Sequence, residues 1–300
     1  MPIFDLIPDK DTFVTNFFPC HPKSPVGHAL GNLEDNLTGL LKFEDMILTI
    51  DIGNSNIVFG VAGENEWLKI WRIQTDVSKT ADEYEVIFRS LFQASVVPVE
   101  EISQTVLSSV VPSLIRPFNE MLNTLLGKVP LLVEPSFYPR LPVEILNPHE
   151  IGTDLVADAT AAFVRYGGPC MVIDFGTALT FTTIGKSGRI LGVAIAPGLR
   201  TALKSLTGNT AQLHDVQLVA PPSVLGDNTV HAIQSGLVLG FAGLVDSMVN
   251  RTEVELQEKL TIIATGGLAS VLQNVATRIQ IFDENLTLDG LKYIADHLDE

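Results

Sequence analysis

The run Leu48-Thr49-Ile50-Asp51-Ile52-Gly53-Asn54-Ser55-Asn56-Ile57-Val58-Phe59 is echoed about 120 residues later by Val172-Ile173-Asp174-Phe175-Gly176-Thr177-Ala178-Leu179-Thr180-Phe181. In each copy an apolar strand ends in Asp. One apolar residue, a Gly and a small polar residue follow, and then a second strand-like run begins. A chain that builds this turn twice is expected to fold as two similar α/β domains with one ligand held between them.

The turn suits phosphate chemistry. Gly53 and Gly176 let main-chain N–H groups approach a phosphate closely, and Asn54, Ser55, Asn56 and Thr177 add hydrogen-bond donors. Asp51 and Asp174, fixed at strand ends, would hold a cation or its waters between phosphates. A single Asp-x-Gly-Asn between apolar runs reads more readily as a hairpin turn, and it is the second copy that reverses the preference toward a ligand site.

With 300 residues, 46% of them apolar, the chain can bury two cores. A net charge of −16 disfavours binding to a nucleic-acid backbone. Cys20 and Cys170 have neither metal nor redox spacing, which implies a reducing compartment and no structural zinc. No unbroken apolar run nears the roughly 20 residues of a bilayer span, and the N-terminus lacks a basic leader. The expectation is a cytoplasmic chain without membrane attachment.

Residues 1–45 show no helical or alternating period, and Met46-Ile47-Leu48 then opens a strand abruptly. They read either as a tail with short elements of its own or, the favoured reading, as an over-extended start ahead of Met46. The expected organisation is a first domain over 46–153 and a second over 154–300. From Met46 the expectation is a strand, a turn and a second strand, with further strands near 67–74, 105–109, 171–175, 178–184, 190–196 and 261–265. Helices are expected near 81–93, 112–126, 154–166, 198–206, 228–257 and 286–298. Three strands followed by alternating helix and strand is the pattern of a ribonuclease-H-like domain.

Gly152-Thr153-Asp154 places a carboxylate in the first turn of a helix. Thr153 as N-cap with Asp154 answering the helix dipole is one explanation. The other makes Asp154 the acceptor of a substrate hydroxyl proton, with Asp158, one turn on, in reserve. Thr265-Gly266-Gly267 follows a strand and could let a flat base lie on the backbone, or could be a simple turn. Gly198-Leu199-Arg200-Thr201-Ala202-Leu203-Lys204-Ser205 nearly spells a P-loop, but Leu203 stands where close phosphate approach needs glycine.

Taken together these motifs resemble the type III pantothenate kinases, of the acetate and sugar kinase, Hsp70 and actin superfamily. The resemblance runs from Met46 to the C-terminus. It includes Thr80-Ala81-Asp82-Glu83-Tyr84, Ser108-Ser109-Val110-Val111-Pro112, Asn147-Pro148, Ala196-Pro197-Gly198, Pro222-Ser223-Val224-Leu225-Gly226 and Gln234-Ser235-Gly236 beside the turns already named. It implies an actin-like ATPase fold of two ribonuclease-H-like domains. It further implies ATP phosphates bound by Asp51, Ile52, Gly53, Asn54, Ser55, Asn56, Ile57 and Val58 with help from Thr177, and Asp154 as general base. Gly152, Thr153, Asp154, Leu155 and Thr210 would line the pantothenate pocket. Asp174 would hold a monovalent cation, K+ or NH4+, in addition to Mg2+, and the pocket would be completed across a homodimer.

Two positions depart from the pattern. Leu155 follows Asp154 where the family usually has Arg, and Ile145 stands where it usually has Tyr. Losing the Arg fork removes about 1.5–3 kcal/mol of charge-assisted bonding to a carboxylate, for which Arg200, Arg165 or Lys204 could compensate. Two alternatives follow: a kinase of this fold acting on another small hydroxy acid, or a non-catalytic accessory relative.

Overall fold

A computed structural model describes residues 46–64, 66–208 and 216–298. The readings made for residues 1–45 and for Thr210 lie outside these. The first five strands are β1 (Met46–Ile52), β2 (Asn56–Ala62), β3 (Trp67–Gln74), β4 (Ile102–Ser109) and β5 (Leu131–Leu132). The second five are β6 (Cys170–Phe175), β7 (Ala178–Ile184), β8 (Ile190–Pro197), β9 (Thr261–Thr265) and β10 (Ile281–Phe282). The helices are α1 (Ala81–Ser95), α2 (Pro112–Leu126), α3 (Thr153–Tyr166), α4 (Leu199–Gly208), α5 (Thr229–Leu256) and α6 (Leu286–Leu298).

The two sheets run β3-β2-β1-β4-β5 and β8-β7-β6-β9-β10. In each, the first three strands form an antiparallel meander, the fourth pairs parallel with its innermost strand, and the fifth pairs parallel with the fourth. This repeated topology is the doubled ribonuclease-H-like arrangement of the actin-like ATPases, and it places Asp51 and Asp174 at equivalent strand ends.

The central strands are buried on both faces, which explains their nearly continuous apolar character. Leu48, Ile50 and Ile52 of β1 face a core shared with Phe88 and Phe92 of α1 and Phe118 of α2, while Ile47 faces Val156 of α3 and Leu291 of α6. Likewise Met171, Ile173 and Phe175 of β6 pack with α4 and α5, and Cys170 and Val172 with Ala159 and Ala162 of α3. α3 lies between the sheets and buries small side chains toward both, so it is apolar almost all round.

Thr80 caps α1 through a capping box with Glu83. Pro112 opens α2, and Gly127 at φ +67° closes it. The expected Thr153 cap differs in the structure. Gly152 occupies the cap position, no side chain caps α3, and the Thr153 hydroxyl bonds to Ser108.

α6 returns to the first sheet, where it packs on β1 and β4 as well as along α3. Gly290 permits this contact, since a Cβ there would lie 2.0 Å from the Ala157 carbonyl oxygen. α5 spans 28 residues and contains a π-helical turn at Ser235–Leu239. By length and composition alone it could cross a bilayer, although polar residues interrupt its apolar run. Val238, Val245 and Val249 commit one face of it to the core.

Candidate active site

Strand register assembles the site. Asp51 at the end of β1 stands opposite Val58 on β2 and Ser108 on β4. Ser108 Oγ donates to Asp51 Oδ1 at 2.9 Å and lies 2.9 Å from Thr153 Oγ1. A polar relay therefore joins the first loop to the start of α3, the residue before Asp154. In the second sheet Asp174 stands opposite Thr180 on β7 and Thr265 on β9. Ser108 and Thr265 occupy matching positions, but Ser108 is bonded to its aspartate, whereas the buried hydroxyls of Thr180 and Thr265 have no partner among the described residues.

Both loops are pinned from behind. The Gly53 carbonyl accepts from Thr75 Oγ1 at 2.6 Å, and Thr75 N–H donates to Ser55 O at 3.1 Å. The Thr177 carbonyl accepts from Gly198 N–H at 3.0 Å and Thr201 Oγ1 at 2.7 Å. A Cβ on Gly198 would stand 2.3 Å from the Gly176 carbonyl oxygen, so the start of α4 reaches this loop only through glycine. Ser55 Oγ and Thr177 Oγ1 then meet at 2.6 Å.

One cavity is lined by Asp51, Gly53, Asn54, Ser55, Asn56, Val58, Asp154, Asp174, Gly176 and Thr177, all of them among the site residues expected from sequence. Ile52 and Ile57 sit in the core, leaving only their backbone for a ligand, and the Leu155 side chain is buried. Gly152 and Thr153 are not among the lining residues. Sequence reasoning missed Arg72, Val110, Glu284, Thr287 and Leu288, which also line the cavity. Arg72 carried a signal, because counting in register along β3 from the loop places it beside Val58.

Burial, and then the charge of Asp154, push Asp51 up to about 7 against the opposing Ser108 hydrogen bond. Asp174 is likewise raised to about 7 by burial and Asp154, with Arg72 opposing. Burial also raises Asp154, whose Oδ1 accepts the Leu155 N–H at 2.8 Å. Asp158, buried and accepting from Thr287 Oγ1 at 2.7 Å, is raised by burial and by Asp174. Carboxylates crowded in this way favour cations and protons.

The sequence model of the type III pantothenate kinase family matches residues 47–251. The chain belongs to the type III pantothenate kinase family. It is 41% identical over 249 residues to the type III pantothenate kinase of Moorella thermoacetica, covering 83% of this chain and 98% of that relative. It is 42% identical over 249 residues to that of a Roseiflexus species, with 83% of this chain covered and 98% of the relative. Among solved structures, a Campylobacter jejuni protein described as a conserved Baf family transcriptional activator superposes with a TM-score of 0.52 at 20% identity, covering 82% of this chain and 96% of that one. That likeness establishes the shared fold.

Proposed function

We propose that the chain transfers the terminal phosphoryl group of ATP to the primary hydroxyl of pantothenate, giving 4'-phosphopantothenate, the first step toward coenzyme A. The observation carrying this reading is that Asp51, Asp154 and Asp174 line one cavity between two pinned, glycine-bearing loops in a chain of this family. Main-chain N–H groups of the Gly53–Asn56 and Gly176–Thr177 turns, with the hydroxyls of Ser55 and Thr177, hold the phosphates. Asp154 accepts the hydroxyl proton as the oxygen attacks in line, and its raised pKa brings it closer to neutral pH, where a general base is most effective. By resemblance to the family we assign Gly152 to Leu155 and Thr210 to the acceptor side, with Asp154 the one among the described residues that lines the cavity.

Bound magnesium would neutralise charge between the phosphates. No cluster of three or more His, Cys, Asp or Glu suited to a metal exists among the described residues, which suits an ion held jointly by protein and nucleotide. We assign the protein's part in that role to Asp51. Asp174 with the unpartnered Thr180 and Thr265 hydroxyls offers an oxygen-only set suited to K+ or NH4+. We assign 46–153 and 154–300 as the two lobes, with α6 crossing back to the first.

We also infer a cytoplasmic homodimer that binds neither nucleic acid nor membrane. Edge strand β8 presents Leu191, Val193 and Ile195 on one face, Ile195 being 71% exposed, and Leu225, ahead of α5, is 84% exposed. Such apolar surface fits a partner copy. A coupled ADP-release assay with and without pantothenate and potassium tests the function. Turnover requiring both supports it, turnover only with another hydroxy acid supports that acceptor instead, and no turnover supports an accessory role.

A further inference from the structure

The cavity sets four carboxylates, Asp51, Asp154, Asp174 and Glu284, against a single basic lining residue among the described residues, Arg72. A triphosphate entering such a site needs a fixed cation as well as any ion it brings. We propose that Arg72 supplies it, binding phosphoryl oxygens of the nucleotide and holding them against the two Asp-bearing loops. The proposal rests on the nucleotide reading above and names a residue that reading does not use.

Register fixes the position. Arg72 on β3 stands opposite Val58 on β2, which stands opposite Asp51 on β1, so all three share one sheet face with Arg72 two strands from the aspartate. Two strand spacings are about 10 Å, a gap that a long arginine side chain and a phosphate can span together. At its far end the guanidinium lies beside the β9 turn, where a Cβ on Gly267 would approach Nη1 to 3.4 Å. Arg72 therefore reaches from the first sheet to the glycine pair that follows the second.

Among the described residues Arg72 makes no hydrogen bond or ion pair, which leaves its guanidinium available to a ligand. By contrast Arg165, a candidate for compensating Leu155, is tied to Asp283 at 2.5 Å and Asp289 at 2.8 Å. Arg200 and Lys204 do not line the cavity. Arg72 acts on Asp51 and Asp174, one from each loop, while burial and backbone hydrogen bonds govern Asp154, where the acceptor hydroxyl belongs. The charge is thus aimed at the phosphate end of the cleft, and its planar fork suits phosphate oxygens.

The test combines calorimetric titration of magnesium ADP and a non-hydrolysable triphosphate analogue with steady-state kinetics, for the wild-type chain, Arg72→Gln and Arg72→Lys. Arg72→Gln should raise nucleotide Kd and the KM for ATP by about 10–100-fold, the effect of losing one charge-assisted contact. Arg72→Lys should recover part of the loss, and the KM for pantothenate should stay within about twofold. Unchanged nucleotide affinity overturns the proposal, as does a rise confined to the KM for pantothenate, which would make Arg72 the partner of the acceptor carboxylate. As a check that needs no variant, phenylglyoxal should modify Arg72 in the wild-type chain, and ADP should protect it. Modification unaffected by saturating ADP overturns the proposal too. Wild-type titration separates the two levels: no nucleotide binding removes the nucleotide reading and this one together, while normal binding by Arg72→Gln removes only this one.

Discussion

Ser55 Oγ lies 2.6 Å from Thr177 Oγ1, a hydrogen bond that joins two turns separated by 122 residues of chain. It shows that the duplicated loops meet face to face, as a shared phosphate site requires. Thr177→Val should keep the fold and raise the KM for ATP by about tenfold, the worth of a hydrogen bond to a charged group. Comparing ATP kinetics with the melting curve separates a binding defect from a folding one.

Asp154→Asn keeps the size and removes the base. It should lower kcat by about 10²–10⁴-fold while leaving nucleotide affinity within about threefold. Near-normal turnover would transfer the proton to another acceptor, and Asp158 is too deeply buried, at 1% exposure, to be a ready substitute.

The raised values of Asp51 and Asp174, both about 7, have a thermodynamic consequence. Between about pH 4 and 7 the folded chain holds protons that the unfolded chain has released, so these two groups lower stability as pH rises. Glu253, lowered to about 2 by its contacts with Lys259 and Arg278 despite burial, acts oppositely and loses its contribution only in acid. Melting of the ligand-free protein should therefore show a loss of stability between about pH 4 and 7 that Asp51→Asn reduces. Magnesium with nucleotide must displace these protons, so the stabilisation it confers should be larger at about pH 8 than at about pH 6.

Two glycines allow contacts that no other residue could make. Gly266, at φ +90°, would bring a Cβ to 2.2 Å from Asp174 Oδ1. Gly266→Ala should cost about 1–3 kcal/mol of stability and weaken nucleotide binding as Asp174 shifts. Gly290→Ala presses on the Ala157 backbone between α6 and α3. It should cost about 1–3 kcal/mol by overpacking without a selective effect on either KM. Denaturant midpoints measured beside kinetics distinguish the two.

Much of this was legible because apolar runs and punctuation marked the elements. Asp51 and Asp174 announced themselves by repetition, and the helix at 112–126 by Pro112 at its start. What was not legible depended on contacts between distant elements. β5 and β10 are two residues each and exist only through pairing with β4 and β9. The path of α6 back to the first sheet is decided by packing at Gly290, not by any local signal. Thr153 resembled a helix cap because its competing partner, Ser108, comes from a strand 45 residues away. Arg72 was passed over because a lone arginine in an apolar strand reads as a solvated edge residue until the register puts it beside Val58 and the cleft.

The central claim is that the cleft between the two Asp-bearing turns carries a phosphoryl group from ATP to pantothenate. Mass spectrometry of the small molecules after incubating the full chain with magnesium ATP, potassium and pantothenate tests it most directly. The account predicts stoichiometric 4'-phosphopantothenate and ADP, with both lost in Asp154→Asn. ATP consumed at the same rate without pantothenate, or pantothenate recovered unmodified while nucleotide is bound, would contradict it.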